Sequence, residues 1–193
     1  EGRRARSGRA RARATAPRGR LEPVHGAGDD VSVVVDFAHA DDALDRALGA
    51  VREACTAGTQ LTAVFGCGGD RDTSKRPRMG AAAAAHADRI VITSDNPRSE
   101  PPERIVSEIM TGIPASRRAD VVVLIERGRA IREAIIGARP GGVVVIAGKG
   151  HETDQIGVDA SGRRATRGFI DQDVARETLA ERRRETSRLG ARS

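Results

Sequence analysis

The sequence predicts an α/β fold, in which a Rossmann-like, doubly wound and mostly parallel sheet carries helices on both faces. Five mainly apolar runs have the length and composition of strands that are buried on both sides. They cover residues 31–35, 61–65, 89–93, 121–125 and 143–147. Segments with helical spacing separate these runs, and regular alternation of strands with helices is typical of a parallel sheet.

The helices are predicted from apolar residues that recur with the period of an α-helix. In residues 41–56, an apolar face is formed by Leu44, Ala47, Leu48 and Val51. The further predicted helices cover residues 77–87, 101–111, 128–138 and 173–184, and residues 152–169 are predicted to form a polar hairpin.

Charge and composition divide the 193 residues into one domain and two tails. Residues 1–20 hold eight Arg and one Glu, whereas the remaining chain holds 25 basic and 26 acidic residues, so the net charge of +6 belongs to the tail. This low-complexity segment is expected to be disordered. Because it lacks aromatic residues for base stacking, a linker is favoured over a nucleic-acid-binding tail. The predicted domain covers residues 21–184, and residues 185–193 are predicted to be a C-terminal tail.

No apolar run approaches the roughly 20 residues of a membrane span. No segment has the order of charged, apolar and small residues that marks a signal peptide. The sequence therefore predicts a cytoplasmic protein without a membrane partner. Cys55 and Cys67 lack the spacing of metal ligands, so both are expected to be reduced and structural, and no metal site is predicted.

The loop Asp95–Arg98 is the first candidate site. It follows the third apolar run, and in open α/β sheets ligands bind at the carboxyl ends of the strands. Pro97 fixes its own φ angle and restricts Asn96, so Arg98 is expected to stand on a stiff turn. There its planar fork can bind a carboxylate with two hydrogen bonds. The simpler alternative is a loop that only caps the helix beginning near Pro101.

Three further polar loops follow strands and should face the same crevice. They are Asp36–His39, Gly66–Asp72 and Gly148–Glu152. The second begins like a dinucleotide-binding fingerprint, but Arg71 stands where the third glycine belongs, so NAD binding is disfavoured. Its glycines are expected to let the backbone approach a ligand closely. The third lacks the Ser or Thr that follows the lysine of a P-loop, so the chain has no P-loop of its own.

In combination, the four loops resemble the C-terminal domain of Mur ligases, most closely the diaminopimelate-adding members of that family. The family's sequences run like D-Y-A-H-T-P-D-[AS]-L, F-G-C-G-G-D-R-D-x-x-K-R-P-x-M, D-N-P-R and A-G-K-G-H-E, in that order. The matching segments of this chain are Asp36–Leu44, Phe65–Met79, Asp95–Arg98 and Ala147–Glu152. The resemblance covers about residues 19–181.

The resemblance implies an ATP-dependent amide-bond ligase that adds meso-diaminopimelate to UDP-N-acetylmuramoyl-L-alanyl-D-glutamate in peptidoglycan synthesis. In such a ligase ATP phosphorylates the D-Glu carboxylate, and an amine of diaminopimelate attacks the acyl phosphate. The family implies ATP and Mg²⁺ as cofactors, bound mainly by a central ATPase domain, while a separate domain binds the UDP-sugar. Neither domain is expected in this chain, which should therefore be inactive alone.

By matching motif positions, the resemblance assigns diaminopimelate binding to Arg71, Asp95, Asn96, Pro97, Arg98, Gly148 and Glu152. Two Arg forks suit the two carboxylates of this amino acid, and the Glu suits its distal ammonium. An Arg left without a carboxylate should disfavour lysine. The family implies that Asp36, His39 and Lys75 lie near the nucleotide, although Phe37 and Ala40–Asp41 replace its Tyr and Thr-Pro. No catalytic residue and no metal ligand is assigned on this chain.

Three alternatives stay open. One is another ligase of the superfamily, such as a lysine-adding relative or a folylpolyglutamate-type enzyme, and the intact D-N-P-R motif argues against it. Another is a binding module without catalysis. The last is a nucleic-acid-binding protein led by the Arg-rich tail, which salt-dependent DNA binding that is lost on deletion of residues 1–20 would support.

Overall fold

The computed structural model of the protein describes residues 19–159 and 161–190. The segment 1–18, which makes up nearly all of the predicted Arg-rich tail, lies outside the described residues. Gly19, by contrast, is buried, and its amide donates a hydrogen bond to the carboxylate of Glu22 at 2.8 Å. The packed part of the chain therefore includes Gly19, whereas the sequence placed the beginning of the domain at residue 21.

Six strands of the described chain form one sheet in the order β1-β2-β6-β3-β4-β5. Their bounds are Glu22–Pro23 (β1), Ser32–Asp36 (β2), Leu61–Phe65 (β3), Arg89–Ile92 (β4), Val121–Val123 (β5) and Val143–Ala147 (β6). All neighbours from β2 to β5 are parallel, and β1 pairs with β2 in the antiparallel sense. The predicted fold class is confirmed. The short edge strand β1 was not predicted, because two residues that include a proline carry no strand pattern.

Helices cover both faces of this sheet, as a doubly wound fold requires. They are α1 (Asp41–Ala54), α2 (Lys75–His86), α3 (Pro102–Met110), α4 (Arg127–Ile136) and α5 (Asp171–Gly190). Buried residues of α1, α2 and α3, including Leu48 and Ile109, pack on one face. Buried residues of α4 and α5, including Ile131 and Leu179, pack on the other. None of the helices in the described ranges is long and apolar enough to cross a membrane.

The closing helix is longer than the sequence predicted. It begins at Asp171 and reaches Gly190, so residues 185–190, expected to begin a C-terminal tail, are helical. The last turns of α5 show no apolar stripe, which is why periodicity alone ended the helix near Arg184. Thr186 donates to the carbonyl oxygen of Arg182 one turn earlier at 3.0 Å.

The predicted polar hairpin is present and is separate from the main sheet. Strands β7 (Asp154–Val158) and β8 (Arg164–Gly168) pair with each other in the antiparallel sense. The backbone of Ile156 also bonds to the loop after β4: its amide donates to Asn96 Oδ1 at 2.9 Å, and its carbonyl accepts from the amide of Arg98 at 3.1 Å. The hairpin therefore supports the first candidate loop from the side.

Candidate functional site

The four candidate loops lie at the carboxyl edge of the sheet and are hydrogen-bonded to one another. The amide of Gly148 donates to the carbonyl oxygen of Asp36 at 3.1 Å. The amide of Gly69 donates to the carbonyl oxygen of Asn96 at 2.9 Å. The side chain of Asn96 donates to Glu152 Oε2 at 3.0 Å. The loops after β2, β3, β4 and β6 thus form one continuous polar edge, where ligands bind in open α/β sheets.

Asn96 is held by bonds at both ends of its amide. Its Nδ2 binds Glu152, and its Oδ1 accepts from Ile156, so the side chain orients the carboxylate and retains one amide hydrogen for a ligand. Glu152 is partly buried, which by itself raises its pKa. The hydrogen bonds from Lys149 and Asn96, together with the charges of Lys149 and His39, outweigh burial and hold the pKa of the Glu152 carboxyl below its usual value. An ionised Glu152 is therefore the form present at neutral pH.

Asp95 is a buried carboxylate with an unused acceptor. It is 7% exposed, and its Oδ1 has no hydrogen-bond partner among the described residues. Burial raises the pKa of the Asp95 carboxyl above its usual value, although the positive charges of Arg127 and Lys149 oppose this. A buried acceptor without a donor is costly, and the nearest cation is Lys149, whose Nζ lies 3.9 Å from Asp95 Oδ1.

Arg98 connects its own loop to the loop after β3. Its Nη1 donates to the carbonyl oxygen of Gly69 at 2.8 Å, and its φ of 53° lies in the left-handed region. Neither Ser99 nor Asp95 caps α3, because this helix begins after Pro101 with no side-chain cap among the described residues. Ser99 instead donates to the carboxylate of Asp70 at 2.7 Å. The backbone turn therefore serves to place Arg98 at the edge of the sheet.

Arg71 and Gly148 complete the set of predicted contacts. Arg71 is exposed and its guanidinium has no hydrogen-bond partner among the described residues. A methyl group built on Gly68 would lie 2.9 Å from Arg98 Nη1 and 3.9 Å from Arg71 Cγ, so both arginines flank this glycine. Gly148 has a φ of 118°, which disfavours any side chain. A Cβ atom built on Gly148 would lie 3.6 Å from Asp95 Oδ2.

The glycines after β3 serve a purpose different from the one expected. A Cβ atom on Gly66 would lie 2.1 Å from the carbonyl oxygen of Thr93, and one on Gly69 would lie 1.9 Å from that of Pro97. Both distances are too short for real atoms. The neighbouring loop, not a ligand, occupies the space that these glycines leave open.

The residues expected near a nucleotide have their polar groups engaged within the protein. Asp36 is buried, and its two carboxylate oxygens accept from the amides of Leu21 at 2.7 Å and Ala38 at 2.8 Å. Lys75 Nζ donates to the carbonyl oxygen of His39 at 2.5 Å, and the His39 ring is exposed. Asp36 therefore holds the loop in place, while Lys75 and His39 remain accessible.

Two buried cations at this edge were missed by sequence reasoning. Lys149 has a fully buried side chain beside Glu152. Arg127 is also fully buried, binds both carboxylate oxygens of Asp171 at 2.8 and 2.7 Å, and donates to the carbonyl oxygen of Ala147 at 3.0 Å. Lysine and arginine are normally exposed. For Lys149, the only sequence signal of burial is the motif that contains it. Arg127 pairs with Asp171, which lies 44 residues away, so no local pattern indicates its burial.

A cavity of about 640 Å³ lies behind the first candidate loop, between the loop after β5 and the hairpin. Its lining residues are Ser94, Pro97, Arg98, Glu100, Pro102, Leu124, Ile125, Glu126, Arg129, Gln155, Gly157, Val158, Ala165 and Arg167. Of the predicted diaminopimelate contacts, only Pro97 and Arg98 reach it. The charged groups that converge at the carboxyl edge indicate the site better than the size of this cavity does.

The fold and the polar edge together define an α/β domain with side chains of both charge signs at the carboxyl edge of its sheet. A family model described as Mur ligase, glutamate ligase domain matches residues 19–150. The chain belongs to this family.

Relatives of known name agree with this assignment. A UDP-N-acetylmuramoyl-L-alanyl-D-glutamate–2,6-diaminopimelate ligase from Synechococcus elongatus is 49% identical over 164 residues, which are 85% of this chain and 31% of that protein. The ligase of the same name from Chromobacterium violaceum is 48% identical over 168 residues, which are 87% of this chain and 32% of that protein. The chain thus spans about a third of the length of these curated relatives.

Solved structures support the fold. The structure of a UDP-N-acetylmuramoyl-L-alanyl-D-glutamate–2,6-diaminopimelate ligase superposes on this chain with a TM-score of 0.74 and 40% sequence identity. The superposed region is 86% of this chain and 32% of the other chain. A folylpolyglutamate synthase from Mycobacterium tuberculosis is 23% identical with a TM-score of 0.50, covering 70% of this chain and 30% of that one, and shares the fold alone.

Proposed function

We propose that this chain is the amino-acid-binding domain of an ATP-dependent ligase that adds meso-diaminopimelate to UDP-N-acetylmuramoyl-L-alanyl-D-glutamate in peptidoglycan synthesis. The observation that carries the proposal is the convergence of opposite charges at one edge. Asp95, Glu152 and Arg98 lie on neighbouring loops that hydrogen bonds join. Relatives that are 46–49% identical and bear the name of that ligase support the choice of substrate.

Diaminopimelate carries two carboxylates and two amines, so its site needs cations and anions side by side. We assign one ammonium to Asp95 and Glu152, a carboxylate to the fork of Arg98, and a second cationic contact to Arg71. Gly148 is assigned as a backbone contact, because it carries no side chain. A charged hydrogen bond contributes about 1.5–3 kcal/mol, so the loss of one should weaken binding by roughly 10- to 100-fold.

The contribution of these residues to the reaction is positioning. When one end of diaminopimelate is bound at the edge, the amine at the other end can be directed toward the acyl phosphate. Such orientation lowers a reaction barrier without a catalytic side chain in this domain. No role in proton transfer is assigned to Asp95 or Glu152, because both are needed as anions.

ATP supplies the phosphoryl group that activates the D-Glu carboxylate in this proposal. The described residues do not form a complete site for it: Asp36 is bound by backbone amides, and no group of three His, Cys, Asp or Glu residues within the described ranges could hold a metal ion. We therefore assign ATP, Mg²⁺ and the UDP-linked dipeptide mainly to parts of the ligase beyond this chain. Lys75 and His39 are proposed to approach the nucleotide from this side.

The proposed domain runs from about Gly19 into α5, and the ligase is placed in the cytoplasm, where ATP and nucleotide-linked sugars are available. Neither a membrane nor a nucleic acid is proposed as a partner.

Calorimetric titration of the 193-residue chain with meso-diaminopimelate and with L-lysine tests the proposal. Lysine lacks the second carboxylate, so it should bind at least about tenfold more weakly. Equal affinity for both amino acids would favour a lysine-adding relative or a general binding module. Absence of binding by either would reject this chain as the amino-acid-binding part.

A further inference from the structure

Lys149 lies at the centre of the candidate site, although no role was predicted for it. Its side chain is fully buried, and Nζ donates to Glu152 Oε2 at 3.0 Å and to the carbonyl oxygen of Asp154. The same nitrogen lies 3.4 Å from Asn96 Oδ1 and 3.9 Å from Asp95 Oδ1. A buried ammonium is costly unless nearby anions compensate it. The charged form of Lys149 is therefore stabilised by the carboxylates of Glu152 and Asp95, and Lys149 in turn stabilises their ionised forms.

The two donors that reach Glu152 bind the same carboxylate oxygen. Lys149 Nζ and Asn96 Nδ2 each lie 3.0 Å from Oε2, and no described residue donates to Oε1. Two donors on one oxygen fix the plane of the carboxylate. The Glu152 side chain is 37% exposed, so its other oxygen remains available to a ligand.

We propose that Lys149 is a positioning residue of the diaminopimelate site. It orients Glu152 so that Oε1 can accept from a ligand ammonium, and its charge lets Glu152 and Asp95 stay ionised side by side. The identity of the ligand rests on the proposed function, whereas the ionisation of the two carboxylates does not. Lys149 acts through these carboxylates and contacts no reacting atom.

Charges from several neighbouring elements act on the two carboxylates. Arg127 is already matched by the two oxygens of Asp171, so Lys149 is the nearest cation that Asp95 and Glu152 share. The titratable and charged groups that act on this carboxylate pair are Lys149 from the loop after β6, Arg127 from α4, Asp171 from α5, His39 from the loop after β2 and Cys67 from the loop after β3.

Lys149→Met keeps most of the length of the unbranched side chain and removes its charge. A nearby opposite charge lowers a carboxyl pKa by about 1 to 3, so the variant should take up a proton on this pair at correspondingly higher pH. Ammonium binding needs both carboxylates ionised. The pH below which diaminopimelate binding is lost should therefore rise by the same amount.

Two matched variants separate this effect from simpler ones. Lys149→Arg retains the positive charge and should keep the midpoint of the pH profile close to that of the wild type, even if its size alters affinity. Arg46→Met removes a positive charge from the exposed face of α1, where the arginine side chain is 70% exposed beside Asp42. It should leave both the midpoint and the affinity unchanged.

The test is a carboxyl-carbon NMR titration of the 193-residue chain without ligand, followed by calorimetry with meso-diaminopimelate over the same pH range. The expected result for Lys149→Met is a rise of about 1 to 3 in the apparent pKa of the Asp95–Glu152 pair and in the binding midpoint. A folded Lys149→Met variant whose carboxyl titration matches the wild type overturns the proposal. If the wild type does not bind diaminopimelate, the proposed function fails. The ligand-free titration then still tests whether Lys149 keeps Asp95 and Glu152 ionised.

A double variant covers the case in which Lys149→Met does not fold. Neutralising both members of a buried pair is tolerated better than neutralising one, so Lys149→Met is also combined with Glu152→Gln. If Lys149 acts through Glu152, adding Lys149→Met to Glu152→Gln should cost little further affinity. A double variant that binds diaminopimelate much more weakly than Glu152→Gln alone would show that Lys149 does not act through Glu152 and would overturn the proposed route.

Discussion

At the scale of single residues, Arg98 combines a strained backbone with a partly engaged side chain. Its φ of 53° costs a non-glycine residue about 1 kcal/mol or more. Only Nη1 of its fork is bonded among the described residues, to Gly69 and more weakly to Asn96, which leaves the other N–H groups for a ligand. We therefore attribute the strained backbone of Arg98 to the position that it gives the guanidinium.

Replacement of Arg98 should change the choice of amino acid. Arg98→Lys keeps the charge but loses bidentate geometry, so it should weaken the use of diaminopimelate. Arg98→Ala should weaken it further, by about 10- to 100-fold, and lysine should gain relative to diaminopimelate. ATP affinity should remain near that of the wild type. The measurement is the ratio of kcat/KM for the two amino acids in a full-length ligase that carries this domain.

A control for this ratio is Arg163→Ala, because Arg163 lies at the turn of the hairpin with a side chain that is 83% exposed. It should leave the ratio unchanged. If Arg98→Ala lowered kcat/KM for both amino acids equally, Arg98 would be only a structural link to Gly69.

At the scale of elements, contact between loops makes the site rigid. Gly69→Ala should disturb this contact, because the new methyl group would meet the carbonyl oxygen of Pro97. We expect the free energy of unfolding to fall by about 1–3 kcal/mol and diaminopimelate binding to weaken. Gly168→Ala, in β8, meets no atom within 4 Å and is the matched control. Urea unfolding and calorimetry of both variants check the prediction, and equal stabilities would contradict it.

Arg76 joins α2 to the two loops beside it and to α3. Its buried guanidinium binds both carboxylate oxygens of Glu100, at 2.8 and 3.0 Å, as well as Glu108 at 2.7 Å and the carbonyl oxygen of Gly68 at 3.1 Å. The hydrogen bonds from Arg76 lower the pKa of Glu100 from 4.5 to about 2. The strength of the Arg76–Glu100 ion pair, which lies beneath the site, therefore depends on the pH of the solution.

The contribution of Glu100 to stability should depend on pH in a defined window. Because its pKa is lower in the folded state, the contribution is complete above pH 4.5 and is lost as the pH falls toward about 2. Glu100→Gln should therefore be less stable than the wild type at neutral pH, and the difference should shrink across that window. Urea unfolding at a series of pH values measures it. A deficit that stays constant down to the lowest pH would mean that packing, not charge, is lost.

The order of elements could be predicted from the sequence because the central strands are apolar on both sides. The bounds of β3 and β6 agree with the prediction, whereas β1 and the last turns of α5 carry no apolar pattern and were missed. Packing between loops was not predictable either. The glycines after β3 were expected to face a ligand, but only the fold shows that the loop after β4 fills that space.

Within the site, motif positions indicated which charged residues take part, but not their burial or their partners. Asp95 and Glu152 were expected as ligand contacts, and their shared cation, Lys149, was left without a role. Whether a lysine is buried depends on the three-dimensional arrangement of distant loops, which local pattern does not encode. The same holds for Arg127, whose partner Asp171 begins the last helix.

At the scale of the whole molecule, the chain spans about a third of the curated relatives it matches. The 193-residue chain alone should neither hydrolyse ATP nor form the amide bond, because the sequence contains no P-loop. The measurement is phosphate release with ATP, Mg²⁺, the UDP-linked dipeptide and diaminopimelate present, with a full-length ligase as the positive control. ATP-dependent phosphate release by the purified chain would contradict this expectation.

We propose that the loops after β3, β4 and β6 form the diaminopimelate site at the carboxyl edge of the sheet. A crystal structure of the 193-residue chain with meso-diaminopimelate tests it most directly. We expect a ligand ammonium within hydrogen-bonding distance of Glu152 Oε1 and beside Asp95, and a ligand carboxylate on the fork of Arg98. Diaminopimelate bound instead in the cavity between the hairpin and the loop after β5, away from Asp95 and Glu152, would contradict it.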